Sequence, residues 1–482
     1  MNHHGHPKLK FFTLRNLEDI PQIQQLSQRD RQAMAVVANV LPFRVNNYVV
    51  DELIDWQSIP DDPIFQLTFP QPGMLEANHF QQMAETLDSG KNSTDIRAVA
   101  DKIRHELNPH PGGQLQHNVP LLDDEPVPGV QHKYRETVLV FPSAGQTCHA
   151  YCTFCFRWAQ FVGIQDLKLA TDESLRYCEY LRRHPEVTDV LFTGGDPMVM
   201  RADVLARYID PLLERDFEHI QSIRIGTKSL SYWPYRYISD DDSDAMLRLL
   251  ERIVAAGKHV AIMAHFNHWR EMTTDAVVKA IERLQSTGAV IRTQAPLIRH
   301  INDDPGLWAK MWQMQVRLGC FPYYMFIERQ TGAKQYFKIP LVRCHEIYST
   351  AMSQVSGLAR SARGPIMSAL PGKVGVEGIV NIAGQQHFVL SFLQGRNASW
   401  CKRPFFAKYD PEACWLDELK PSFGETEFFF ESELNNRLAQ TEGAGIAATM
   451  PLPLIEPAMK PTARELVALD IEASSVIGNT SV

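Results

Sequence analysis

The sequence lacks the features that mark membrane, secreted or nucleic-acid-binding proteins. No apolar run approaches the roughly 18 residues needed to cross a bilayer, and the N-terminus MNHHGHPKLK lacks the apolar core of a signal peptide. The formal net charge is only −8 over 482 residues, which argues against a dedicated nucleic-acid surface. We therefore predict a soluble, cytoplasmic protein with no nucleic-acid partner and no membrane partner.

Cysteine is scarce as well, and its distribution is uneven. Three of the eight cysteines, Cys148, Cys152 and Cys155, fall within the stretch CHAYCTFC. In a reducing compartment such clustering indicates metal binding or redox chemistry more than disulfide bonds. A structural zinc site would need a fourth ligand, and no nearby Cys or His pair has zinc-finger spacing, although His149 is adjacent. An iron–sulfur cluster with three protein ligands would leave one iron open, and a zinc site or three buried thiols are the alternatives.

Changes of pattern along the chain predict four parts. Residues 1–130 indicate helices and Pro-rich loops, and residues 131–375 alternate β-branched apolar runs with amphipathic helices. Residues 376–440 form a C-terminal extension. Residues 441–482 are rich in Ala, Pro, Thr and Ser, so we predict a poorly ordered tail there.

The central part predicts an α/β fold built from parallel βαβ units. Its six strand candidates are TVLVF, TDVLF, SIRIG, HVAIMA, VIRTQ and FPYYMF, and amphipathic helices lie between them. Gly257 and Gly288 follow two of these helices, as C-cap glycines should. A doubly wound sheet and a partial barrel both satisfy the pattern. In either fold the chemistry belongs at the C-terminal ends of the strands, where CHAYCTFC follows TVLVF.

The spacing CxxxCxxC resembles the signature of the radical S-adenosylmethionine (SAM) enzymes, and Phe154 before the last cysteine fits it too. The resemblance implies that the three cysteines ligate a [4Fe–4S] cluster whose open iron binds SAM. One strand later, the segment TDVLFTGGDPM places Gly194, Gly195 and Asp196 where this superfamily has a turn that contacts the SAM amino group. Glycines allow a close backbone approach, and a carboxylate can pair with an ammonium.

Five further blocks resemble the lysine 2,3-aminomutase family in the same order. They are PVPGVQHKYRETVLVF, RIGTKSLSYWPYR, HFNHWREMT, RTQAPLIRHINDD and PYYMF, and the resemblance covers roughly residues 50–380. It implies a partial (β/α)6 barrel of the radical SAM type, with a helical N-terminal region and a small C-terminal extension. It also implies an isomerase that uses pyridoxal 5′-phosphate (PLP), SAM and the cluster. Such an enzyme moves an amino group between adjacent carbons of an amino acid through a 5′-deoxyadenosyl radical and a PLP aldimine.

The resemblance assigns roles to further residues. Lys373, in LPGKVGV, would form the internal aldimine with PLP, and Arg157 would bind the substrate carboxylate. The positions that would lie near SAM or the phosphate of PLP are Lys228, His265, Gln294 and Lys133. From the residues alone, Lys373 is typical of a surface lysine in a turn, and the SAM-site residues are equally typical of structural polar groups.

Two departures from the family concern PLP. The family has a run of glycines before the lysine, whereas this chain has SALPG. Lys133 and Thr137 stand where the family has two arginines for the PLP phosphate, with Arg135 as a candidate replacement. The alternative is therefore a PLP-independent radical SAM enzyme that catalyses another rearrangement, an epimerisation or a dehydrogenation. A third hypothesis is a non-catalytic zinc or iron–sulfur protein.

A third departure concerns the substrate. Arg329 and Ile366 occupy the positions of the two aspartates that hold the distal ammonium of lysine in the family. An arginine would repel that ammonium, and like charges in a desolvated contact cost several kcal/mol. We therefore predict an acidic, glutamate-like substrate. A shift of one residue in the alignment would bring Glu328 to this position and would favour an amine instead.

The expected partners follow from this assignment. They are a small-molecule amino acid as substrate, a reducing electron donor such as a flavodoxin or ferredoxin, and further copies of the chain, because family members associate as dimers or larger assemblies.

Overall fold

The computed structural model describes residues 7–164, 169–171 and 174–443. Its main element is a sheet of eleven strands that lie side by side in chain order. The strands are β1 Val130–Tyr134, β2 Thr137–Val140, β3 Asp189–Phe192, β4 Ser222–Thr227, β5 His259–His265, β6 Val290–Leu297, β7 Phe321–Ile327, β8 Arg363–Ser368, β9 Gly372–Ile382, β10 Gln385–Gly395 and β11 Pro404–Lys408.

The α-helices fall into an N-terminal group and a group that alternates with the strands. They are α1 Gln28–Val40, α2 Pro63–Thr68, α3 Ala77–Asp88, α4 Ser93–Glu106, α5 Gln114–Asn118, α6 Ser174–Arg182, α7 Ala202–Ile209, α8 Ser243–Ala255, α9 Asp275–Ser286, α10 Pro305–Arg317, α11 Leu341–Ser353 and α12 Glu431–Gly443, with one-turn helices at Ser229–Tyr232 and Lys334–Phe337. No helix in the described ranges is both long and apolar enough to cross a bilayer.

The strands from β2 to β8 are parallel, and helices α6 to α11 connect them one after another. Strand β1 and strands β9 to β11 extend the two edges in the antiparallel sense. This repeated βα unit is the architecture of a partial (β/α)6 barrel, so the predicted α/β fold class is confirmed. The four predicted part boundaries stay predictions, and the predicted tail lies outside the described residues from 444 onward.

Two helices illustrate how the pattern of apolar residues fixes the packing. The buried residues of α8 include Leu249, Leu250 and Ile253, which recur at helical spacing and face the sheet. Gly257 follows α8 with a φ of +80°, and Gly288 follows α9 with a φ of +85°. Only glycine adopts this left-handed conformation readily, so each of these glycines ends its helix and turns the chain towards the next strand.

The opposite faces of several parallel strands carry charged residues. In β4, Ile223 and Ile225 are buried, while Arg224 between them is half-buried. Arg224 donates from Nε to Oδ1 of Asp189 at the start of β3, at 2.7 Å. Burial also alternates along the first part of β6, and Arg292 is one of its half-buried residues. Charged side chains therefore line the face of the sheet that the connecting helices do not cover.

Candidate active site

The three clustered cysteines lie on the loop that follows β2, at the predicted end of the barrel. Residues of the N-terminal region hold this loop through hydrogen bonds that the sequence alone did not indicate. These bonds join Tyr151 N to Arg44 O at 2.8 Å, Asn46 Nδ2 to His149 O at 3.0 Å, and Thr153 N to Leu67 O at 2.9 Å. The conformation of the cysteine loop is thus set by residues about a hundred positions earlier in the chain.

The thiols of these cysteines are free and lie in surroundings that disfavour an uncompensated thiolate. Burial raises the pKa of Cys152 to about 11 and that of Cys155 to about 12, and the charge of Cys152 raises the pKa of Cys155 further. Burial and the charges of Asp196 and the other two thiolates also raise the pKa of Cys148. Three thiolates so placed need a bound cationic centre to compensate them, which is the donor set that an iron–sulfur cluster uses.

Within the described ranges, no group of three or more His, Cys, Asp or Glu side chains is arranged to hold a single metal ion. An iron–sulfur cube is much larger than one ion, so its thiolates stand farther apart than the ligands of zinc.

The two glycines after β3 pack directly against the backbone that leads into the cysteine loop. A Cβ on Gly195 would lie 2.5 Å from both N and O of Thr147, and Gly194 has a φ of +134°. The amide of Asp196 donates to the carbonyl oxygens of Gly145 at 3.0 Å and Thr147 at 2.7 Å. The turn therefore requires glycine to bring β3 and the cysteine loop into backbone contact.

The carboxylate of Asp196 is buried, and both of its oxygens accept hydrogen bonds from the protein. Its Oδ1 accepts from Thr227 Oγ1 at 2.7 Å and from Met198 N at 2.9 Å, and its Oδ2 accepts from Lys228 N at 2.8 Å. These bonds join the loops that follow β3 and β4. The contact of Asp196 with SAM stays a prediction.

Lys228 lies where the loops after β4 and β5 meet, and it has a buried counter-ion. Its Nζ donates to Glu271 Oε1 at 2.5 Å and to Asn267 Oδ1 at 2.9 Å. Glu271 is fully buried, and its Oε2 also accepts from the amide of His268 at 2.8 Å. Glu271 was not among the predicted site residues, although it falls within the block HFNHWREMT.

His265 and Gln294 come together on adjacent strands. They are paired in the register of β5 and β6, and His265 Nε2 lies 2.8 Å from Gln294 Nε2. Burial lowers the pKa of His265 to about 3, and the charges of Lys228 and Arg157 lower it further. His265 is therefore neutral, and its ring is a hydrogen-bonding group rather than a cation.

Lys373 is part of strand β9, where it pairs with Ser368 of β8. Its ammonium lies 4.8 Å from the ring centroid of Tyr134 and 5.3 Å from that of Tyr324, and it donates to Oε1 of Gln394. Burial lowers the pKa of Lys373 to about 7, with further lowering by the charge of Arg224. Lys373 is therefore a half-buried amine within the sheet that can lose its proton near neutral pH.

The segment before the cysteines brings Lys133 towards Lys373. Lys133 donates to the carbonyl oxygen of Ala369, in the SALPG loop, and burial lowers its pKa. Thr137 donates from Oγ1 to Asp189 Oδ2 at 2.9 Å. Arg135, the candidate replacement for an arginine, is exposed and pairs with its neighbour Glu136 at 3.6 Å. The structure therefore places Lys133 near Lys373 and places Arg135 at the surface.

Arg157 and Arg329 lie against one aromatic ring. Their guanidinium carbons are 4.8 Å and 4.2 Å from the ring centroid of Phe156. Arg329 also donates to Ser368 Oγ at 2.9 Å. Burial lowers the pKa of Arg157 to about 9 and that of Arg329 to about 10, and the charge of Arg329 lowers the pKa of Arg157 further. The two cations are thus close, partly desolvated and suited to bind anionic groups.

Glu328 lies next to this pair, and it is the residue that a shifted alignment would bring to the substrate. Burial raises the pKa of its carboxyl to about 8, whereas the charge of Arg329 lowers it. At neutral pH Glu328 is therefore largely protonated and offers little negative charge to an ammonium. Ile366, at the second departing position, is buried in β8.

No family model matches the chain. An Aquifex aeolicus protein provisionally named an L-lysine 2,3-aminomutase is 29% identical over 406 residues, which cover 84% of this chain and 95% of that protein. The L-lysine 2,3-aminomutase of Bacillus subtilis is 25% identical over 72% of this chain and 63% of its own length. The glutamate 2,3-aminomutase of Clostridioides difficile is 27% identical over 48% and 51% of the two chains. The chain is a homologue of the 2,3-aminomutases.

As a 2,3-aminomutase homologue, the chain is an enzyme of the radical SAM isomerase class. The homology supports a [4Fe–4S] cluster, SAM and PLP as its cofactors. Among solved structures, a radical SAM methyltransferase from Sphaerobacter thermophilus is similar with a TM-score of 0.33 and 13% identity, over 47% of this chain and 66% of that one.

Proposed function

We propose that this 2,3-aminomutase homologue moves an amino group between adjacent carbons of an amino acid with an acidic side chain. The observation that carries the proposal is the pair of guanidinium groups of Arg157 and Arg329 around the ring of Phe156. A dicarboxylic amino acid has two anionic ends that match two cations. A lysine substrate would bring its distal ammonium to a buried arginine, at a cost of several kcal/mol.

In this proposal, Arg157 binds the α-carboxylate and Arg329 binds the distal carboxylate. The hydrogen bond from Arg329 to Ser368 fixes one edge of its guanidinium, which leaves the remaining donors for a bidentate contact. The raised pKa of Glu328 is consistent with this assignment, because a protonated carboxyl does not repel an acidic substrate.

The donor sets fit the cofactors that the homology supports. Cys148, Cys152 and Cys155 would hold the cluster at the end of β2. The backbone at Gly194 and Gly195, together with Asp196, would lie against SAM. His265 and Gln294 would lie near its adenosyl part, and Lys228, held by Glu271, near its carboxylate. PLP would fit at Lys373, because the pKa of this lysine is lowered and the guanidinium groups of Arg224 and Arg363 lie nearby.

The protein supplies orientation, charge and exclusion of water. When bound, the cluster and SAM supply a radical that removes an unactivated hydrogen, and PLP carries the migrating nitrogen. Lys373 presents an amine that is already deprotonated in part at neutral pH, between the rings of Tyr134 and Tyr324. Arg157 and Arg329 hold the substrate at both ends, so that one carbon faces the radical.

The first experiment is to map the PLP-binding lysine. Anaerobically reconstituted protein is incubated with PLP, reduced with borohydride and digested, and the labelled peptide is identified by mass spectrometry. A pyridoxyl group on Lys373, absent from the Lys373→Ala variant with equal iron content, supports the proposal.

Two other outcomes would contradict it. A label on Lys133 instead would overturn the assignment of Lys373. An unlabelled chain with a full iron–sulfur complement would favour the PLP-independent rearrangement, epimerisation or dehydrogenation.

The same proposal includes the cellular setting. A SAM-bound cluster needs a low-potential electron donor such as a flavodoxin or ferredoxin, and free thiols at the cluster suit the reducing cytoplasm. Association into a homo-oligomer is part of the proposal and is tested by analytical ultracentrifugation of the reconstituted protein.

A further inference from the structure

The charged lining of the sheet contains one arginine that the proposed reaction does not use. Arg363 opens strand β8 and is half-buried. Its guanidinium carbon lies 4.4 Å from the ring centroids of both Tyr323 and Tyr324. No carboxylate in the described part of the chain lies within ion-pair distance of Arg363. A half-buried guanidinium that is held by two aromatic rings retains its donors for a further anion.

Lys373 lies against the same ring of Tyr324, at 5.3 Å from its centroid. The charges of Arg224 and Arg363 both lower the pKa of Lys373, which places these two guanidinium groups near its amine. Arg224 is already paired with Asp189, whose other oxygen accepts from Thr137. Of these two arginines, Arg363 is therefore the one without a counter-ion in the described part of the chain.

This arrangement coincides with the position where the chain departs from the aminomutase pattern. Thr137, which the resemblance places at the position of a phosphate-binding arginine, donates to the carboxylate of Asp189. Position 137 carries no positive charge, but Arg363 provides one at the start of β8. The phosphate of PLP is an ester on the methylene attached to the ring carbon next to the one that bears the aldehyde, so it would lie close to the lysine that binds the aldehyde.

We propose that Arg363 binds the phosphate group of PLP and replaces the arginine that position 137 lacks. This inference rests on the proposed function, because it takes PLP to bind at Lys373. Arg363 would make a bidentate contact with the phosphate, and Tyr323 and Tyr324 would hold the guanidinium plane in place. Lys133, whose ammonium nitrogen lies 5.4 Å from the ring centroid of Tyr134, would be a second cationic group near the phosphate.

The test compares PLP with pyridoxal, which has the same aldehyde and lacks the phosphate. Binding of each to the full-length reconstituted protein is followed by the absorbance of the bound chromophore and by borohydride labelling of Lys373. Three proteins are used: wild type, Arg363→Gln and Arg292→Gln. Arg292 is the matched control, because it lies against Tyr323 from β6 at 5.4 Å but is not among the charges that act on Lys373.

We expect Arg363→Gln to weaken PLP binding about ten- to a hundredfold, the range for removal of a hydrogen bond to a charged group. Its affinity for pyridoxal should be unchanged, and Arg292→Gln should match the wild type with both compounds. Iron content and circular dichroism confirm that each variant is folded.

The other results of this experiment would contradict either the role of Arg363 alone or the proposed function as well. Equal loss of PLP and pyridoxal binding in Arg363→Gln, or no loss of PLP binding, would overturn the role of Arg363 while leaving the proposed function intact. Absence of any pyridoxyl label on wild-type Lys373 would overturn both.

Discussion

At the scale of single residues, the site is defined by side chains whose charge is poorly compensated. Lys373, Arg157 and Arg329 all have pKa values lowered by burial, and each lies against an aromatic ring. Burial of one cation beside another is unfavourable, and an anion bound between them offsets this cost. These residues should therefore contribute strongly to the affinity for an anionic ligand. Substituting them is the most direct test of the site.

The titration of Lys373 gives a prediction with a definite sign. Only the deprotonated amine attacks an aldehyde, so the rate of PLP attachment should rise as pH increases through about 7 and then level off. An ordinary lysine would show this rise near about 10.4. The measurement is the initial rate of borohydride-trapped label on Lys373 from about pH 6 to pH 9. A rate that keeps climbing tenfold per pH unit through this range would show that the pKa is not lowered.

Arg329 should decide which amino acids are accepted. Arg329→Asp places a carboxylate where we propose that the distal group of the substrate binds. It should shift the ratio of kcat/KM for lysine over glutamate by at least about a hundredfold, since like charges in contact cost several kcal/mol. Competition between the two amino acids in one assay measures this ratio. Arg329→Gln is the control, because it removes the attraction without adding the opposite charge. Preferred turnover of lysine by the unmodified enzyme would contradict the assignment.

At the scale of secondary-structure elements, most of the barrel could be predicted from the sequence. All six predicted strands are present as β2 to β7, because each is a short apolar run, rich in β-branched or aromatic residues, that is followed along the chain by an amphipathic helix. The seventh parallel strand, Arg363–Ser368, was missed, because its sequence RGPIMS contains glycine and proline, which usually interrupt strands.

The candidate site was predictable to a similar extent and for a similar reason. Local motifs located the cysteines and the double glycine. The partners of these motifs come from far along the chain, such as Asn46 for the cysteine loop and Gln394 for Lys373. Contacts of this kind arise only from the tertiary fold, so no local pattern could have indicated them.

The turn after β3 allows a test of how this element supports the cluster. Gly195→Ala would place a methyl group 2.5 Å from the backbone of Thr147, so the turn or the cysteine loop must move. We expect a large loss of bound iron and of the visible absorbance of the cluster after reconstitution. Gly378→Ala is the matched control, because a Cβ at Gly378 meets no atom within 4 Å. Full cluster loading in Gly195→Ala would show that the close approach is not required.

At the scale of the whole molecule, the two proposed cofactor sites depend on segments that lie far apart in the sequence. The cysteine loop is held by residues 44–67 of the N-terminal region. The lysine site is completed by β9 and β10, beyond the βα repeat. The barrel lies between these two contributions and connects them through Arg157 and Arg329. Loss of either cofactor should therefore lower the stability of a large part of the structure.

Removal of the cluster should lower the thermal stability of the protein. The cluster would tie the cysteine loop to the barrel, and a ligand that binds only the folded state raises Tm. We expect treatment with an iron chelator under reducing conditions to lower Tm by several degrees, on the order of the shift for a few kcal/mol in a protein of this size. A variant with serine at positions 148, 152 and 155 should start at the lower Tm and show no change with chelator. Identical Tm values with and without iron would contradict a stabilising cluster.

The hydrogen bonds between the N-terminal region and the cysteine loop also carry a consequence for biosynthesis. A ribosome releases residues 44–67 before it releases Cys148, and it releases Gln394, the partner of Lys373, more than two hundred residues later. The framework of the iron site can thus assemble on the nascent chain while the pyridoxal pocket does not yet exist. The order of synthesis therefore predicts that the proposed cluster site can form before the proposed PLP site.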